Sequence, residues 1–185
     1  MISFIRRRLR HAGVFVVAAI VAWSISFPAI AQPSRASASD EREIARCIRL
    51  AARGRPWLEK TLWGLRDQEG GWLGAEVANR NGSHDLGTLQ INSWWVPRMA
   101  ALLAQPEPAI RHWLKHDACF NADAARWIFL SALAATKNYW KAVGVYHSPT
   151  TWRQQRYASS VAVHLQKRFG REIFTSAVFA RGNER

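Results

Sequence analysis

One carboxylate in the chain is placed where acid–base chemistry could be done. Glu69 falls at the expected C-terminal end of a helix, where the helix dipole disfavours an anion. Gly70 and Gly71 follow it and let backbone and ligand approach closely. Trp63 and Trp72 are near in sequence and could strip water from it. All three features push a carboxyl towards staying protonated near neutrality, which is what a general acid requires. A surface glutamate that merely ends a helix is the plainer alternative. Most of the other twelve acids need no functional account: Asp40, Glu41 and Glu43 suit a helix N-terminus, and Glu172 and Glu184 lie near the end of the chain.

The two cysteines, Cys47 and Cys119, are too few for a zinc cage without histidine help, and the six histidines show no ligand spacing with them. No metal or other cofactor is expected. If the chain is exported, an even count points to one disulfide, with two separate buried thiols as the alternative. Export itself is read from residues 1–31. Arg6, Arg7, Arg8 and Arg10 make a basic start, Ala12 to Phe27 is apolar and uncharged, and Ala29-Ile30-Ala31 is a small-residue cleavage pattern. The apolar run is short of the roughly 20 residues a membrane span needs, so cleavage after Ala31 is expected rather than anchoring, with no span left in the mature chain.

Removing that segment takes four arginines and no acids from the net charge of +13, leaving +9. Such a balance attracts anionic polymers, and export makes nucleic acid the least available of them. The arginines are scattered evenly, which suits solubility, and no basic block interleaved with aromatics tracks a nucleic-acid backbone. Ten tryptophans in 185 residues must fill a core, offer platforms to a flat ligand such as a sugar, or both.

The elements that must position Glu69 follow from periodicity and caps. Residues 32–39 read as a flexible leader. Asp40 with Glu43 resembles a capping box for a helix over 41–52, and Pro56 opens a second helix that runs to Glu69. From 72 to 92 glycine, asparagine and short apolar pairs predict an irregular hairpin lobe, with a tight turn at Asn81-Gly82. Further helices are expected from a Ser93 cap to about 103, over 109–115, from an Asn121 cap to 135, from Asn138 towards Tyr146, and over 151–169 up to Gly170. Residues 171–185 form a weakly specified tail. The fold class is therefore mainly α, one domain over 40–170 with a small hairpin lobe.

The ordered motifs resemble the lytic transglycosylase domain of the soluble type. That family has a glutamate ending a helix, then a G-x-x-x-x-G-x-x-Q-[IV]-N stretch, then a tyrosine–asparagine pair much further on. Here Glu69-Gly70-Gly71 is followed by Gly82-Ser83-His84-Asp85-Leu86-Gly87-Thr88-Leu89-Gln90-Ile91-Asn92, and Trp140 to Tyr146 matches the last element. Cys47 and Cys119 also match the paired cysteines of a small single-domain subgroup that serves conjugation and specialised secretion systems. The resemblance spans about residues 45 to 165. It implies a lysozyme-like α+β fold, a periplasmic location and cleavage of the MurNAc–GlcNAc bond in peptidoglycan glycan strands to give an anhydro-muramoyl product. Components of a conjugation or secretion apparatus would be the protein partners.

Carried over residue by residue, Glu69 becomes the acid/base. Gln90 and Asn92 bind the glycan or shape the groove floor, Tyr146 places its hydroxyl near the carboxyl, and Gly82 and Gly87 permit the loop between them. Gln90, Asn92 and Tyr146 also have purely structural readings, as partners of buried backbone or as core. Three departures stand out: Gly70 replaces the family's serine, Leu89 its methionine, and His147 its asparagine, with Ser148-Pro149 in place of small residues. A lysozyme-type hydrolase would need a second carboxylate, for which Asp85 is the only nearby candidate and reads as structural. A glycan-binding assembly protein would keep the tryptophans and the charge but not depend on Glu69.

Overall fold

The computed structural model describes residues 37–175, all within one compact unit. The leader residues 32–36, the cleavage segment and the tail beyond 175 lie outside the described residues. Seven helices and a three-stranded antiparallel sheet make up the described chain: α1 (Ala38–Ala52), α2 (Pro56–Glu69), β1 (Glu76–Ala78), β2 (His84–Leu86), β3 (Ile91–Asn92), α3 (Trp95–Leu103), α4 (Glu107–His116), α5 (Ala118–Thr136), α6 (Tyr139–His147) and α7 (Thr151–Phe169). A short 3-10 turn, Arg171–Thr175, follows α7. The expectation of a mainly helical body with a small hairpin lobe holds at this level. Among the described residues no helix is long and apolar enough to cross a membrane.

The helical body forms around α5 and α7. Phe129 of α5, Ile44 and Ile48 of α1, Leu58, Leu62 and Leu65 of α2 and Leu165 of α7 are all fully buried, each contributed by an apolar stripe at helical spacing. α2 and α7 run against one another closely because Gly64 has no side chain: a Cβ there would meet Leu165 at 2.8 Å. Further along the same seam Arg168 lies 4.0 Å over the Trp63 ring and makes two hydrogen bonds of 2.6 Å to Asp67. Trp63 is therefore occupied by a cation on the α2–α7 seam. Cys47 of α1 and Cys119 of α5 form the disulfide, tying the first helix to the central one.

The lobe is a meander, β1-β2-β3, with Val77 opposite Asp85 and Asp85 opposite Asn92. The Asn81-Gly82 turn joins β1 to β2 as expected, with Gly82 at φ +80°. Asn121 holds the lobe to the body. Fully buried, its amide donates to Leu86 O (2.9 Å) and Leu114 O (2.8 Å) and accepts from Leu89 N–H (2.8 Å) and Thr88 Oγ1 (3.0 Å).

Three caps differ from the sequence expectation, each for a local reason. α1 starts three residues early because Ser37 and Asp40 form the reciprocal capping box, which leaves Glu43 to pair with Arg46 at 2.6 Å. α5 is capped by Asp117, which accepts from Cys119 and Phe120 N–H, so Asn121 is freed for the lobe. Ser93 does not cap α3, since its hydroxyl accepts the His84 N–H at 2.9 Å across the sheet.

Candidate active site

Helix α2 ends at Glu69 because Gly70 takes the left-handed conformation at φ +61°, its N–H closing on Arg66 O. The chain then passes under the lobe. A Cβ on Gly71 would lie 2.2 Å from Gly87 O, so only glycine lets the end of α2 meet the turn between β2 and β3. This contact brings the carboxyl of Glu69 to the junction of body and lobe. Gly70 itself, at φ +61°, holds a backbone conformation that a side chain would strain.

The Glu69 pKa is raised to about 7: burial is the main cause, a hydrogen bond from the Tyr157 hydroxyl works the other way, and the charge of Asp85 adds to the rise. That hydroxyl, on α7, donates to Oε1 of Glu69. Tyr157 is buried, and desolvation together with the neighbouring Glu69 charge holds its own pKa well above the usual range, so it stays a neutral donor. The result is a carboxyl balanced between its two protonation states near neutral pH, with no ion pair to it among the described residues.

The other expected residues gather around this carboxyl in different ways. Tyr146 stands near it, since burial first and then the charges of Glu69 and Asp85 raise its pKa. Its hydroxyl, however, donates to Leu89 O at 2.9 Å, and its ring lies alongside Tyr157 with centroids 6.5 Å apart. Gln90 sits at φ +49° and turns its amide back to Gly87 O (2.8 Å), covering Gly71. Asn92 donates to Ser83 Oγ and Asp85 Oδ1, both at 2.9 Å, and accepts from Trp94 N–H at 3.1 Å. Gln90 and Asn92 therefore build the turn and orient Asp85. Leu89 fills the core. Gly82 lies at the tip of the β1–β2 turn, with open space where a Cβ would be, whereas Gly87 is pressed against Leu114 O and Asn121.

Sequence reasoning missed Tyr157. It lies on the α7 stripe with Val161 and Leu165, and a stripe at that spacing reads as core. The available signal was its type: a tyrosine on a buried stripe needs a partner for its hydroxyl. Asp85 was read as structural, and it does accept from Asn92, yet its charge also reaches Glu69, Tyr146 and His147. Trp94 is 68 % exposed, and its backbone N–H donates to Asn92 Oδ1. Glu43 lies within 4.8 Å of Cys47 and Cys119, but both sulfurs are bonded to each other and offer no thiolate to a metal. Comparison of the chain with protein-family models and with curated proteins finds no match.

Proposed function

We propose that this chain is an exported peptidoglycan lytic transglycosylase of lysozyme-like fold, with Glu69 as its acid/base. The observation that carries the reading is the Glu69 carboxyl itself: half-buried at the body–lobe junction, its pKa raised to about 7, and hydrogen-bonded by a neutral tyrosine. In this reaction Glu69 gives its proton to the glycosidic oxygen as the bond from C1 of MurNAc to O4 of GlcNAc breaks, and the GlcNAc leaves with its 4-hydroxyl restored. The acetamido group of MurNAc steadies the developing charge at C1. Glu69, now a carboxylate, takes the proton of the muramoyl 6-hydroxyl while O6 closes on C1, giving the 1,6-anhydro sugar and restoring the acid. No water is consumed. Local opening of the cell wall for a conjugation or secretion apparatus is the role that fits the subgroup resemblance.

Asp85 supports one second reading. A hydrolase of the lysozyme kind uses a second carboxylate, as nucleophile or to activate water. Asp85 is close enough to Glu69 to raise its pKa, and only one of its oxygens is engaged by the described residues. We favour a role in keeping Glu69 protonated. On that basis Asp85→Asn should move the alkaline limb of the pH–activity profile to lower pH while activity at pH 5–6 survives within a few-fold. A loss of two orders of magnitude or more at every pH, in a folded variant, would favour hydrolysis.

A further inference from the structure

His147 ends α6 with its ring flat on Tyr157, the centroids 4.5 Å apart and the planes within 3°. Tyr157 is the residue that holds Glu69, so the imidazole stands one ring away from the carboxyl. It is exposed, and among the described residues no hydrogen bond engages either ring nitrogen. Stacking covers one face of the ring and leaves its polar edge open.

The ring is also held in place by its surroundings. The α6–α7 corner is tied by Ser148 N–H to Gly144 O (3.2 Å), Thr150 N–H to Ser148 Oγ (3.2 Å) and Gln154 Nε2 to Ser148 O (3.0 Å). A Cβ at Gly144 would meet Gln154 at 2.5 Å, so the two helices meet here at backbone distance. A group carried on a fixed corner loses little freedom when it engages a ligand. The stacked side of the ring is covered, and this partial burial is the main cause that lowers its pKa; the charge of Asp85 raises it and that of Arg153 lowers it. A neutral imidazole carries one donor and one acceptor, which matches sugar hydroxyl and acetamido groups better than it matches a carboxylate.

We propose that His147 is a substrate-binding residue, offering a ring nitrogen to a hydroxyl or acetamido group of the sugar that lies across Glu69 and Asp85. This inference rests on the glycan-cleaving reading above and adds a contact made by a residue that departs from the family pattern.

Two variants separate binding from stacking. His147→Phe keeps a ring on Tyr157 and removes the nitrogens; His147→Gln restores a polar group without the stack. Each is introduced into the full chain, both alone and with Glu69→Gln, and binding to soluble, uncrosslinked GlcNAc–MurNAc strands is titrated. Losing one good hydrogen bond costs roughly tenfold in affinity. We expect about that loss for His147→Phe and at least partial recovery for His147→Gln. In the catalytically intact pair KM should rise with kcat little changed and the Glu69 limb unmoved. Wild-type binding by His147→Phe would overturn the proposal even if the protein cleaves glycan. Weakened binding by His147→Phe in a protein that never cleaves glycan would uphold the contact and overturn the catalytic reading instead. Failure of all forms to bind the strands would overturn both.

Discussion

Glu69 is poised because the helix that carries it stops under the lobe. Its carboxyl titrates near 7 in the folded chain, against an ordinary 4.5 when exposed. Between these two values the folded state holds the extra proton, so the stability associated with this group is complete below about pH 4.5 and drains away as the pH rises through 7. The loss above pH 7 amounts to about 3 kcal/mol. Glu69→Gln stays neutral and escapes it. We therefore expect the glutamine variant to melt at a higher temperature than the wild type at pH 8 and to differ little at pH 4; equal melting at both would show that the carboxyl is not buried. Tyr157→Phe removes the one influence that lowers the Glu69 pKa. The alkaline limb of activity should then move upward, with slower turnover at its optimum, and a pH–rate series on the purified variant reads both. Glu69 was legible from sequence because a helix stop followed by two glycines is a local signal. Tyr157 was not, since its partner lies 88 residues away and nothing local distinguishes it from core.

At the scale of elements, the junction depends on the turn after β2 and the amide beneath it. Asn121 looked like a cap because asparagine at a helix start usually is one. It is instead a buried four-way bracket, a role that only the three-dimensional meeting of α4, α5 and the lobe could reveal. Replacing it by alanine strands several buried backbone and hydroxyl groups, and we expect a loss of about 3–5 kcal/mol in denaturant unfolding. The two glycines expected to shape the loop should behave differently. Gly87→Ala drives a Cβ to within 2.0 Å of Leu114 O and should abolish stable folding of the lobe, whereas Gly82→Ala meets open space and should cost only about 1 kcal/mol of backbone strain. Comparable losses at the two positions would contradict this picture of the lobe. Helix periods and the Asn81-Gly82 turn were readable because each is set within a few residues. The strand pairings and exact caps were not, since they depend on which polar group wins a shared partner, as Ser93 does with His84.

Across the molecule, the Cys47–Cys119 bridge spans 72 residues and encloses α2, the lobe, α3 and α4. Reduction should lower stability by about 2–4 kcal/mol, seen as a shifted urea midpoint with and without reductant. The described residues thus present Glu69, with Asp85 near it, at a seam between a braced helical body and a small sheet. The most direct measurement is mass spectrometry of the fragments released from purified peptidoglycan by the wild type and by Glu69→Gln. We expect 1,6-anhydromuropeptides, lighter by one water than hydrolytic fragments, from the wild type and none from the glutamine variant. Undiminished release by Glu69→Gln, or fragments with reducing ends, would contradict Glu69 as the acid/base of a transglycosylase.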